Sequence, residues 1–218
     1  DPSVSNIVDV YLLERTYDNL YRIWLQDGGA KPMPSTSDQL RINYSGTLNP
    51  LKSLSDQIIY HPVKYKILFG STAEEALQAT FKVVKNPKTN VSDAVIKTRV
   101  IAAVNEFFAL DNWDFGDTFY FTELAAYVHN QLAPDLLTAV IVPNQSGQTF
   151  GSLFQLDSAA DEIFISGATV DDVSIISALG ANQLAASGNV ITSISTTTTN
   201  TTTGSSVSGS TTTGSGSS

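Results

Sequence analysis

Residues 111–132 read DNWDFGDTFYFTELAAYVHNQL and concentrate the side chains best suited to chemistry: Asp111, Asp114, Asp117 and Glu123, followed by His129, one of two histidines in the chain. Carboxylates and an imidazole this close together are the raw material of a metal site or an acid/base pair. The spacing argues against both. On one helix, Glu123 and His129 stand roughly 240° apart around the axis, so no single face carries the pair. A zinc-binding helix sets its ligands at i and i+4, as in H-E-x-x-H, and the sequence has no such histidine pair. The aspartates recur at every third position, unlike the alternate-residue ligands and distant bidentate Glu of a calcium loop, which leaves only a loose calcium site as a metal reading. Gly116 suits a tight turn. The stretch therefore reads as a hinge between two helices, in which Trp113, Phe115, Phe119 and Phe121 pin the turn and Thr122 restarts the helix as N-cap. His129, among apolar neighbours, is expected to be partly buried and hydrogen-bonded.

Other catalytic patterns are missing. His61 precedes Pro62, which forces an extended backbone at the histidine and implies nothing catalytic. No G-x-S-x-G elbow occurs, and FGSTAEE at 69–75 lacks the second Gly and the Lys of a phosphate loop, so it reads as a helix or turn start. Every acidic residue falls in a turn or on a polar helix face, and no pair resembles the carboxylates of a glycosidase. With no cysteine, disulfides, thiolate zinc sites and cysteine nucleophiles are excluded. No catalytic, cofactor-binding or metal-ligating residue is assigned, and the expectation is a protein that is not an enzyme and uses no cofactor.

Charge is distributed unevenly. Residues 1–99 carry 12 basic and 10 acidic side chains, net +2, whereas residues 100–218 carry 11 acidic and no basic ones, net −11. So acidic a half repels phosphate backbones, which argues against nucleic acid as a partner. It is suited either to a basic surface on a neighbouring subunit or simply to keeping the domain in solution. The longest apolar runs, such as LLTAVIV at 136–142, fall far short of the roughly 18 to 20 residues a membrane helix needs, so no membrane partner is expected. The chain opens on DPSVS without an initiator Met and reads as a fragment or a processed product.

The elements that must position these residues follow from periodicity. NIVDVYLLE at 6–14 predicts a buried strand; DNLYRIWLQ at 18–26 predicts a short helix with Leu20, Ile23 and Trp24 on its inner face; GGAKPMPSTS at 28–37 predicts a loop. DQIIYHPVKYKILF at 56–69 predicts two strand-like halves broken by Pro62, and ALQATFKVVK at 76–85 a further strand. Ser92 caps a helix over 93–109, with Val95, Ile96, Val100, Ile101, Val104, Phe107 and Phe108 on one face. A second helix, with Leu124, Ala125, Tyr127, Val128 and Leu132 inward, ends before Pro134, and LLTAVIV is a buried strand. SLFQL, DEIFI and DVSII predict three short strands in a small antiparallel meander.

The fold class is therefore α+β: a small mixed sheet with two helices on one face, a short β meander and a disordered tail. The expected organisation is an N-terminal α/β segment over 1–55, a core over 56–145, a β-rich subdomain over 146–190 and a tail over 191–218. Ser195–Ser218 is Ser, Thr or Gly at all but Asn200 and Val207, a composition too poor in apolar surface to order itself.

The ordered series KTRVIAAVNEFFALDNWDFGDTFYFTELAAYVHNQLAPDLLTAVIVP and FGSLFQLDSAADEIFISGATVDDVSII resembles the C-terminal region of the baseplate J-like proteins. With HPVKYKILFG and ATFKVVKNPKTN ahead of it, the chain is similar over about residues 5–177 to the wedge-ring subunit of T-even-type contractile-tailed phages. The resemblance implies a structural protein of the virion's tail baseplate, assembled in the host cytoplasm. Such a subunit dimerises within a ring and contacts other baseplate wedge proteins, with no catalytic residues to carry over. In that setting the acidic half is expected to dock on basic residues of a neighbour, with Lys64, Lys66, Lys82 and Lys85 as candidates and Asp111, Asp114 and Asp117 as an acidic rim. The rival readings are a metal-dependent or other hydrolytic enzyme domain and a monomeric ligand-binding tail module.

Overall fold

The computed structural model describes residues 6–48, 57–144 and 155–177. The segment 191–218, expected to be a disordered tail, lies outside the described residues, as do 146–154 and 178–190. In chain order the elements are β1 (Ile7–Leu12), α1 (Arg15–Asp27), α2 (Ser37–Leu48), β2 (Gln57–Pro62), β3 (Lys64–Leu68), β4 (Ala79–Lys85), α3 (Asp93–Phe107), β5 (Thr118–Tyr120), α4 (Phe121–Leu132), β6 (Leu136–Pro143), β7 (Gln155–Asp157), β8 (Glu162–Ser166) and β9 (Val173–Ile176). The protein is α+β, with helices packed against small sheets.

β4 organises the core. Its alternate residues Ala79, Phe81 and Val83 are buried, as the period of a strand requires, and it is flanked by β6 (antiparallel) and β9 (parallel), so this three-stranded sheet is mixed. α3 and α4 pack on each other, α4 against β6 and α3 against β8 and β9. α3 buries Ile96, Val100, Ala103 and Val104, and α4 buries Phe121, Leu124, Val128 and Leu132, recurring at the three- and four-residue steps of a helix face. Ser92 caps α3 as expected, its side chain accepting a hydrogen bond from Val95 N–H. Val95, placed on the inner face by sequence, is 48% exposed.

Three expectations change. The strands of the C-terminal part form where predicted, but they do not pair as a meander: β7 pairs with β5, β8 lies parallel to β3, and β9 lies parallel to β4. Each completes a sheet begun earlier in the chain. Local patterning marks a strand but carries no information about a partner far away in the chain.

On α1 the buried residues are Tyr17 and Tyr21, while Leu20 and Ile23 are 51% and 54% exposed; Trp24 packs against the core as expected. The helix is rotated toward Tyr65 of β3, whose ring lies 5.9 Å from that of Tyr17 and 4.9 Å from that of Tyr21. The Tyr65 hydroxyl donates to Asp18, which also accepts from Arg22 Nε at 2.7 Å. Aromatic contact and a satisfied buried hydroxyl outweigh the two aliphatic side chains left outside.

Third, Thr122 is not the cap of α4. The helix starts two residues earlier than a Thr122 cap would set it, with Tyr120 in the capping position and no side-chain cap bond, because β5 runs directly into it.

β3 ends in a tight crossing. Phe69 and Gly70 both hold positive φ, 64° and 70°, and Gly167 N–H donates to Leu68 O at 2.9 Å across it. A Cβ on Gly70 would stand 1.9 Å from Gly167 O, so only glycine lets the two segments meet. Phe69 is fully buried against Phe81, Phe108, Phe119 and Phe121, with ring centroids 5.0 to 6.2 Å away. This packing holds a left-handed backbone that a phenylalanine would otherwise leave.

Candidate functional site

The stretch that draws attention in the sequence is one side of a groove. α3 ends at Phe107, a single 3-10 turn spans Leu110–Asn112, and the chain bends at Gly116 (φ 82°) before β5 leads into α4. The bend is stitched from several directions. Asp114 N–H donates to Asp117 Oδ2 at 2.7 Å, Ser158 donates to Asp117 O through both N–H (3.0 Å) and Oγ (2.9 Å), and Gly116 N–H donates to Glu162 O at 3.2 Å. Gly116 thus plays the turn role expected of it.

Beneath the bend lies an aromatic cluster. Trp113 Nε1 donates to Phe107 O at 2.8 Å, which fixes the indole, and its ring stacks on Phe108 at 5.5 Å and meets Phe107 and Phe164 edge-on at 5.6 and 5.4 Å. Phe119 is fully buried and Phe121 nearly so, as the hinge reading requires. Phe115, expected to pin the turn, is instead 38% exposed. Its neighbour Gly116, at positive φ, lies close to Ala160.

Between α3, the bend and α4 a groove of about 600 Å³ opens. Half-buried Phe107, Trp113 and Tyr127 form its apolar part, and Glu106, Asp117 and Glu123 bring carboxylates to it, with Asn112 and Thr118 filling the remainder. No Lys or Arg lines it. Asp117 is the one member of the aspartate trio in the groove; Asp111 and Asp114 are exposed nearby. Glu106 was missed by sequence reasoning because attention to the inner face of α3 passes over its polar side, although an acid beside Phe107 at a helix end was a visible signal.

Glu123 and His129 diverge as helix geometry requires: Glu123 lines the groove and His129 does not. The Nδ1 of His129 is buried without a hydrogen-bond partner, contrary to the expectation of a partner. His61 pairs with Asp9, Nε2 to Oδ1 at 2.8 Å across β1 and β2, and stacks on Tyr11 at 4.8 Å. Among the described residues no three His, Cys, Asp or Glu side chains converge closely enough to hold a metal ion.

The four lysines lie apart from this groove, and three are paired within the chain. The parallel register of β3 and β8 sets Lys64 beside Asp161 (3.0 Å) and Lys66 beside Glu162 (3.6 Å), with Lys66 Nζ also donating to Asp157 O at 2.8 Å. Lys85 meets Asp93 at 2.9 Å at the start of α3. Lys82, on the face of β4 turned away from the core, forms no ion pair with the described residues. Part of the acidic second half is thus already neutralised by the first half of the same chain, and the acids around the groove are not.

Titratable groups with displaced pKa values lie elsewhere. Burial raises the Tyr65 hydroxyl, with its hydrogen bond to Asp18 adding to the effect, and burial likewise raises Tyr21. Asp135 is held below the usual carboxylate range, first by the Thr89 hydroxyl donating at 2.5 Å and then by the Arg99 guanidinium at 2.7 Å. These groups link neighbouring elements, Tyr65 of β3 to Asp18 of α1 and Asp135 to Thr89 and to Arg99 of α3. Compared with protein-family models and with curated proteins, the chain has no match to either.

Proposed function

We propose that this chain is a structural subunit that acts by binding other protein chains, of the type that closes the wedge ring of a contractile phage tail baseplate. The observation that carries the reading is an acidic surface around the 106–123 bend, where Glu106, Asp117 and Glu123 line an aromatic groove with no basic side chain in it and Asp111 and Asp114 are exposed on the same bend. A charged rim around apolar contact area is the usual build of a protein interface, and one-signed charge sets partner orientation and encounter rate. The resemblance of the ordered helix, turn, helix and strand segments to baseplate wedge proteins supports the same reading, and with it a place in the virion's tail.

The partners are further copies of the subunit and other wedge proteins. In that assembly Lys82 is the basic residue of the four with its charge still available, while Lys64, Lys66 and Lys85 meet a neighbour already paired. Sedimentation velocity at high protein concentration tests the reading. Dimers or larger species at low salt that dissociate in about 0.5 M salt are expected, since exposed ion pairs are screened there. A strict monomer in both conditions overturns it.

A further inference from the structure

We infer that the groove between α3 and α4 is a socket for a single arginine side chain presented by a different protein chain. The inference rests on the proposed binding role and names the chemistry of one contact. The apolar part of the groove, Phe107, Trp113 and Tyr127, accommodates the aliphatic stem and the weakly hydrated plane of a guanidinium. Glu106 and Glu123 approach it from two different helices, and neither side-chain carboxylate has an ion-pair or hydrogen-bond partner among the described residues. Asp117 has one oxygen committed to Asp114 N–H. Three carboxylates beside aromatic surface suit a delocalised cation with several N–H donors, and suit a compact, strongly hydrated ammonium less well.

The socket is already ordered. The Trp113 indole is held by its bond to Phe107 O, Asn112 Nδ2 donates to Glu106 O at 2.9 Å, and Thr118 Oγ1 donates to Asp157 Oδ1 at 2.7 Å, so little reorganisation opposes binding. Three of this chain's four arginines, Arg22, Arg41 and Arg99, are held by Asp18, Asp38 and Asp135, and Arg15 has no ion pair among the described residues; the occupant is therefore assigned to an arginine of a different chain, with Arg15 of a second copy as the rival that the test separates.

The test is a titration of the full chain, followed by two-dimensional NMR, with acetyl-Gly-Arg-Gly-amide and with its citrulline counterpart, which has the same shape and no charge. The expected result is saturable shifts at the Trp113 indole and at Tyr127 with the arginine peptide and at least about tenfold weaker binding of the citrulline peptide. Glu106→Gln combined with Glu123→Gln should weaken the arginine peptide about tenfold, and Asp38→Asn, on α2 and outside the groove, less than about twofold. Shifts scattered over the acidic surface without saturation at Trp113, or a double variant that binds as the wild type does, overturn the socket. Salt-sensitive assembly that persists while the peptide fails to bind sinks the socket and spares the structural role; peptide binding by a strict monomer does the reverse. Assembly abolished by both Arg15→Gln and the double variant would make the occupant a second copy and overturn the assignment to a different chain.

Discussion

Gly70 and Gly116 both sit at positive φ, 70° and 82°, yet their surroundings differ. A Cβ at Gly70 would collide with the Gly167 carbonyl at 1.9 Å, whereas at Gly116 the nearest atom, Ala160 Cα, is 3.5 Å away. Gly70→Ala should therefore cost on the order of 4 kcal/mol or abolish folding, because backbone must move. Gly116→Ala should cost about 1 kcal/mol, the left-handed penalty alone. Chemical denaturation of the two variants checks the ranking, and equal effects would refute the account of the crossing. Asp135 adds a pH dependence. Its folded pKa is depressed by Thr89 and Arg99, so its stabilising contribution is complete above the ordinary aspartate value of roughly 4 and is lost as the pH falls through the lower folded value. The difference in Tm between wild type and Asp135→Asn should shrink on going from neutral to acid conditions. A difference constant down to about pH 2 would mean that the carboxylate is unperturbed.

Helix starts show which local signals are trustworthy. Ser92 stands ahead of α3 and its hydroxyl accepts from Val95 N–H, so Ser92→Ala should lower stability by about 1 kcal/mol. Thr122 looks similar in sequence but lies within the first turn of α4, and Thr122→Ala should change stability by less than about 0.5 kcal/mol. Thermal melts of the pair separate a cap from a bystander. α2 was not anticipated, although its signature was present: Thr36 Oγ1 accepts from Gln39 N–H at 3.3 Å and Gln39 Oε1 accepts from Thr36 N–H at 2.9 Å, a reciprocal cap written T-x-x-Q. The weak apolar pattern behind it, with Leu40 its buried residue, hid the helix. On α1 the opposite happened: periodicity correctly marked a helix, and Tyr65 on a distant strand chose which side faced inward.

At the scale of the whole molecule, the strands after residue 154 are structural partners of β3, β4 and β5. Ile163, Phe164, Ile165 and Val173 are buried in the same core as Phe81, Val100 and Leu124. A chain ending at residue 150 should therefore fail to give a cooperative melt by circular dichroism; a stable truncated product would show that residues 1–150 fold without the C-terminal strands. The long-range pairing also explains the charges, since β8 beside β3 is what neutralises Lys64 and Lys66 within the chain. By itself the sequence determined the α+β class, the helix at 93–107 with its cap, the strands at β1 to β4 and β6, and the failure of Glu123 and His129 to share a helix face. These are local matters, decided by period, capping and breakers over a few turns. Tertiary structure alone decided which strands pair, which face of α1 is buried, and that Glu106, Asp117 and Glu123 meet over Phe107, Trp113 and Tyr127. Those depend on complementarity between segments far apart in the chain, where a side chain's neighbours are set by packing and register rather than by the residues beside it.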